Sequence, residues 1–338
     1  MKKAIILVNI GSPDEMNVSS TRKYLRKFLM DKRVIDIPYL SRFILVNGII
    51  APFRAPKSLK SYRQVLINNE SPLLYYSFKL EEKLQKVLGE GYIVKNVMMY
   101  GRPYLNDVLK ELQKKHLSEI IFIPLYPQYA SSTTGSALEM FFNTIKNWIN
   151  IPNIKTHHTF FNHSEFVDLW ANHIQKHLPE HFDKIIFSYH GLPERQIFKA
   201  DNQYSHHHCN LNDCCNTLSD VNRFCYRANC IHTTKLIASK LNLPDNKIII
   251  SFQSRLGQSE WLKPYTSDVL KNEAQKGTKN LVIVSPAFVT DCLETLFELG
   301  IEGKELFENN GGERLTLIPS LNDKDEWVLF LKKLVEVN

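Results

Sequence analysis

The side chains of this sequence that can do chemistry at neutral pH fall in a few short stretches. Five of the six cysteines, Cys209, Cys214, Cys215, Cys225 and Cys230, lie within 22 residues, directly after His206-His207-His208. In a chain expected to be cytosolic, such crowding reads as metal or cluster binding before disulfides. No C-x2-C pair is present, so the spacing fits neither a zinc finger nor a zinc ribbon. Four thiolates suffice for a 2Fe–2S cluster and leave one cysteine spare. A structural zinc site is the competing reading, and a reduced or disulfide-linked loop the plain one. Cys214 and Cys215 are adjacent and are not both expected to serve; spacing does not choose between them. His190 stands where an apolar run ends and Gly191-Leu192-Pro193 forces a turn. A histidine there takes protons near neutral pH or ligates a metal, or simply hydrogen-bonds a loop. Asp291, Glu294 and Glu298 are spaced i, i+3, i+7, on one face of a helix that Asp291 would cap. Such a line passes protons or holds a divalent cation; its ordinary use is a solvated face with a cap. Tyr62, Tyr126, Tyr129, Phe252, Trp261 and Phe288 are placed to wall a flat apolar pocket, or to fill the core. Arg54, Lys57, Arg63 and Arg102 are placed to clamp carboxylates, which arginine does bidentately, or to sit as surface charges.

Positioning these residues falls to an α/β framework. Short, mostly continuous apolar runs at 4–8, 93–98, 120–125, 154–159, 185–189, 248–252, 281–285 and 315–318 suit parallel strands covered on both faces. Amphipathic stretches at 73–88, 104–116, 136–148, 165–177, 234–241, 262–276 and 293–309 lie between them. The alternation predicts doubly wound α/β domains. The two halves echo each other: the run ending at Asn9 enters Ile10-Gly11-Ser12-Pro13, and the run ending at His190 enters Gly191-Leu192-Pro193. The expectation is two similar Rossmann-like domains, 1–165 and 166–338, with ligand beyond the carboxyl ends of the strands in the cleft between halves. Two segments break the rhythm, 31–62 and the cysteine-rich 201–232; loops this long are functional or mobile.

The 338 residues are 43% hydrophobic and 23% charged, globular composition with ample core and no need of disulfide staples. The longest mainly apolar stretch, 43–53, is too short to span a bilayer. Met1-Lys2-Lys3 and the run 4–8 imitate a secretory signal without its length or cleavage pattern. The expectation is a cytoplasmic protein. A net charge of +7 points to anionic partners. Dinucleotide, P-loop, zincin and serine-hydrolase fingerprints are missing, and no basic helix interleaved with aromatics offers a nucleic-acid face. An acidic small ligand or a membrane surface is the better use of the charge.

Taken together, Val8-Asn9-Ile10-Gly11-Ser12-Pro13, Tyr126-Pro127-Gln128-Tyr129, Ser132-Thr133-Thr134-Gly135, Ser188-Tyr189-His190-Gly191-Leu192-Pro193, Phe252-Gln253-Ser254-Arg255-x-Gly257 and Asp291-Cys292-Leu293-Glu294-Thr295-Leu296 resemble the motifs of the ferrochelatase family, in family order. The resemblance implies a lyase that inserts Fe2+ into a porphyrin, in a cleft between two similar α/β domains. By the same resemblance His190 works on the pyrrole protons or the metal, Glu294 faces it, and Asp291 with Glu298 forms the acidic line behind. Arg102 resembles the arginine at the back of the pocket, Tyr62 and Ser71 pocket and propionate-side positions, and Trp261 the pocket tryptophan. Segment 31–62 resembles an active-site lip whose apolar edge meets a membrane, implying peripheral contact at the inner membrane. Some bacterial members resemble this chain in holding a 2Fe–2S cluster on cysteines. The opening and the lip are more similar to members that use protoporphyrin IX and make protohaem; coproporphyrin III is the competing substrate. Cys292 departs from the histidine that several members carry there. The rivals are an iron–sulfur oxidoreductase, disfavoured by the missing dinucleotide fingerprint, a porphyrin- or haem-binding carrier, which would predict loss of His190 or Glu294, and a cobalt chelatase acting on sirohydrochlorin. Oligomeric state is not legible.

Overall fold

A computed structural model of the chain describes residues 1–201, 208–255, 257 and 259–336. His206 and His207 lie outside the described residues. The chain forms two compact units, one of residues 1–126, 130–158 and 322–338, the other of 127–129 and 159–321.

The first unit is built on a four-stranded parallel sheet of β1 (Lys2–Asn9), β2 (Tyr92–Met98), β3 (Leu117–Pro124) and β4 (Asn153–Thr156), in the order β2-β1-β3-β4. Ala4 to Val8 in β1 are fully buried, as expected of a strand covered on both faces. The second unit repeats the plan with β5 (Lys184–His190), β6 (Ile248–Gln253), β7 (Asn280–Val284) and β8 (Arg314–Leu317), in the order β6-β5-β7-β8. The order reverses beside β1 in one sheet and beside β5 in the other, and α/β sheets bind ligands beyond the strand ends at such points. The expected fold, parallel sheets flanked by helices in a repeated α/β plan, is the fold observed.

Helix starts carry their own chemistry. Ser71 caps Pro72–Leu88: its hydroxyl accepts from the Leu74 amide at 3.3 Å, and Pro72 takes the first turn, where no amide hydrogen is needed. Asn17 caps Val18–Leu29 by accepting from the Ser20 amide at 2.8 Å. Segment 31–62, expected to break the α/β rhythm, is largely helical: Tyr39–Ile44, a π-helical stretch Leu45–Ile50, and Ala51–Arg63. Tyr39, Leu40, Phe43, Ile44, Ile49 and Phe53 are exposed there. Those residues face outward, so the segment shows no core-facing stripe in sequence.

Candidate functional site

In the second unit the site grows from the end of β5. Strand alternation places Ser188 and His190 on one face and Tyr189 on the other. The His190 ring is half-buried, and its Nδ1 lies 2.7 Å from the Gly191 carbonyl oxygen. A carbonyl only accepts, so Nδ1 carries a hydrogen, and in the neutral ring the lone pair is on Nε2. The Phe288 ring lies 6.4 Å from the imidazole, centroid to centroid. The Tyr226 hydroxyl donates to the His190 carbonyl at 2.8 Å. Gly191 is required by close approach: a Cβ there would sit 2.9 Å from the Gln253 carbonyl oxygen and 3.2 Å from the Trp261 ring. Trp261 is therefore packed at the turn after His190, and it pairs with Pro193 across a β-bridge.

Glu294 opens a π-helix, Glu294–Gly303, which also carries Glu298. The spacing leads one to expect an α-helix here; the wider π turn is a local distortion that proteins keep mainly at functional sites. Glu294 is tied by its main chain, its carbonyl accepting from Gln253 Nε2 at 3.0 Å. Glu298 is tied by its side chain, which accepts from the Ser254 hydroxyl. Asp291 is not on that helix face. It is buried, and its Oδ1 accepts from the Thr295 hydroxyl at 2.9 Å and the Ser320 amide at 3.1 Å. Cys292 is buried too; burial and the Glu294 carboxylate push its thiol pKa up, keeping it protonated. Gln253, Ser254, Tyr226 and Thr295 were not picked out by sequence as site residues. The only signal for the first two is their place in the family-like motif, and nothing marks Ser254 for the left-handed backbone it adopts (φ 67°).

In the first unit, Arg102 is exposed and follows Gly101, where a Cβ would meet the Ser12 carbonyl oxygen at 2.4 Å. Asp14 holds this turn, accepting from the Arg102 amide at 2.8 Å and the Tyr104 hydroxyl at 2.7 Å. Burial and that carboxylate push Tyr104 up to about 12. The Ser71 hydroxyl, besides its cap, meets that of Ser12 at 2.7 Å. Tyr62 is buried in the helix Ala51–Arg63, on which Arg54 is exposed. Tyr126 follows β3, its hydroxyl enclosed without a hydrogen-bond partner among the described residues.

The cysteines form a separate group. Cys214 and Cys215 sulfurs are 3.7 Å apart. Two thiolates on one tetrahedral metal with bonds of about 2.3 Å stand roughly 3.8 Å apart, so adjacency does not stop both from serving. The Cys225 thiol donates to Cys215, drawing Cys215 down to about 6 against the effect of burial, with Arg227 helping; Cys225 moves up. Cys209, pushed up to about 11 chiefly by burial, also neighbours Cys214. Asn222 closes the loop by donating to the Cys214 and Thr217 carbonyls at 2.8 and 2.9 Å. Cys230 is different. It lies inside the helix Tyr226–Lys240, fully buried, with its thiol beside the Tyr226 hydroxyl. All six cysteines are free thiols. The gathered sulfurs fit a thiolate-held group by their chemistry. Among the described residues, however, no three His, Cys, Asp or Glu side chains are already arranged round one point for a metal ion.

A sequence model of the ferrochelatase family matches residues 2–338. Ferrochelatase of Legionella pneumophila (strain Lens) is 40% identical over 337 residues, covering 99% of each chain. Ferrochelatase of Coxiella burnetii (strain Dugway 5J108-111) is 41% identical over 336 residues, 99% of this chain and 93% of that one. Among solved structures, SirB from Bacillus subtilis with Fe3+ is similar with a TM-score of 0.52 at 14% identity, covering 99% of this chain and 95% of that one, a likeness of fold alone. The chain therefore belongs to the ferrochelatase family of lyases.

Proposed function

We propose that this protein inserts Fe2+ into protoporphyrin IX to form protohaem. The observation that carries the reading is His190 at the carboxyl end of β5, its Nε2 lone pair free for a proton, with Gln253 bridging that strand end to Glu294 on the π-helix. A free-base porphyrin loses two pyrrole protons as Fe2+ enters. His190 takes a pyrrole proton at Nε2, and Glu294 and Glu298 hand in the metal or carry protons away. Asp291 fixes the start of this segment through Thr295 and Ser320. Arg102 and Arg54 neutralise the propionates, Ser71 supports the propionate side, and Tyr62, Tyr126 and Trp261 contact the macrocycle. Remote contacts of this kind supply the strain that bends the ring and exposes its nitrogens.

Two finer readings go with it. Cys209, Cys214, Cys215 and Cys225 would hold a 2Fe–2S cluster, with Cys230 the spare thiol and zinc the competing occupant. When bound, such a group ties four points of one loop together; metal insertion leaves the iron oxidation state unchanged and asks no electron transfer of it. The exposed apolar residues of 39–53, next to exposed Arg54, Lys57 and Lys60, suit shallow contact with an anionic membrane surface. Among the described residues no helix is long and apolar enough to cross a membrane. Steady-state assays with protoporphyrin IX and coproporphyrin III in parallel test the substrate. A higher kcat/KM for protoporphyrin is expected, and a clear preference for coproporphyrin III overturns the choice.

A further inference from the structure

Gln253 is the residue opposite His190 in the parallel ladder between β5 and β6. Its carbonyl and both polar atoms of its side-chain amide bond to the two sides of the site. Its carbonyl accepts from the Gly191 amide at 2.7 Å, fixing the turn that follows His190. Its side-chain oxygen accepts from Ser188 at 2.8 Å, on the His190 face of β5. Ser188 is in turn 2.9 Å from the Thr266 hydroxyl, which lies 2.8 Å from that of Ser251. Its side-chain nitrogen donates to the Glu294 carbonyl at 3.0 Å. The next residue, Ser254, donates to the Glu298 carboxylate. The end of β6 thus grips the π-helix at two points about one turn apart. Gln253 is buried, and the Glu294 carbonyl, which only accepts, sets its amide: nitrogen toward Glu294, oxygen toward the Ser188 hydroxyl, which donates.

We propose that Gln253 is a positioning residue that sets where the Glu294 carboxylate stands relative to His190, acting through the main chain of the π-helix. The inference rests on the role given above to Glu294. A carboxylate that hands over a metal must meet the reacting nitrogens to within a fraction of an ångström, and a misplacement of about 1 Å costs on the order of 100-fold in rate. Removing the Gln253 amide frees the first residue of the π-helix and releases Ser188 at the other end of the same side chain.

The test is a double-mutant cycle in the full-length enzyme with Fe2+ and protoporphyrin IX. Gln253→Leu removes both side-chain contacts. Gln253→Glu keeps the size and the acceptor for Ser188 while removing the donor to Glu294, which guards against a variant that fails to fold; thermal melting reports folding of each. Both variants are expected to lose about 10- to 100-fold in kcat, with porphyrin KM changed by less than about twofold. Combined with Glu294→Gln, either substitution is expected to add less than about twofold to the loss from Glu294→Gln alone, because the glutamine acts through that carboxylate. Losses that multiply, or Gln253 variants that run at the parental rate while Glu294→Gln is slow, overturn this inference alone. Glu294→Gln at the parental rate overturns the role given to Glu294, and this inference with it.

Discussion

On the proposed function His190 works through Nε2, because the Gly191 carbonyl occupies Nδ1. General-base contributions run to about 100–10,000-fold, so His190→Ala should lower kcat for porphyrin metallation by about 100-fold or more, measured as loss of free-base absorption. A His190→Ala enzyme that metallates at the parental rate sinks the assignment. The sulfur group makes a sharper discrimination between neighbours. Cys215→Ser should abolish bound iron and sulfide (or zinc) in purified protein, whereas Cys230→Ser should retain them. Elemental analysis of both variants decides it, and loss in Cys230→Ser would reverse the choice of spare thiol. Not all of this was legible in sequence. His190 stands where an apolar run stops and Glu294 shares an expected helix face with Asp291 and Glu298, but it is the family resemblance rather than position that singles them out. Gln253 and Ser254 are not picked out as site residues, because their work depends on which atoms the sheet register and a left-handed residue bring to the π-helix.

At the scale of elements, the root of segment 31–62 is pinned from several sides. The Asp31 carboxylate accepts from the Tyr100 hydroxyl at 2.7 Å, and the Arg33 guanidinium reaches Ser131 and Glu139, each at 2.7 Å. Lys32 reaches Glu139 at 2.6 Å, and hydrogen bonds from Lys32 and then Arg33 hold the Glu139 carboxyl below its ordinary range. A depressed carboxyl stabilises the fold above its unfolded value of about 4.3, and that stability is lost as pH falls through the lower folded value. Glu139→Gln should therefore cost about 1–2 °C in Tm at pH 7, with the gap closing on acidification below pH 4 and narrowing in high salt. A gap that widens in acid contradicts the pairing. Further along the segment, Leu40→Asp with Phe53→Asp should weaken binding to anionic liposomes by about tenfold or more, read by cosedimentation. Unchanged binding would remove the membrane role from this face. Most of the eight strands were visible as continuous apolar runs, though Lys95 and Asn96 interrupt β2 and β4 is mostly polar, but these helices were hidden. Asn47, Gly48, Pro52 and Pro56 interrupt the pattern, and the large apolar residues face out. The helix Tyr226–Lys240 hid its first half for another reason: Asn229, Thr233 and Thr234 are buried along with Ile231 and Ile237, so no apolar stripe betrays it.

Across the whole molecule, one plan is used twice, with the strand order β2-β1-β3-β4 answered by β6-β5-β7-β8. The second copy ends its central strand in a histidine and carries both the π-helix with Glu294 and Glu298 and the thiol group. The first copy carries the exposed arginines, the Asp14-held turn and the helical segment with the outward apolar face. On the proposed function, porphyrin propionates and an anionic membrane surface are the uses offered for the net charge of +7. Metal insertion into a free-base porphyrin is tested most directly by anaerobic incubation of the purified protein with Fe2+ and protoporphyrin IX while free-base absorption is followed. The account predicts decay of the free-base bands with matching growth of protohaem, at a rate proportional to enzyme. Free-base bands that persist at the rate seen without enzyme would contradict it.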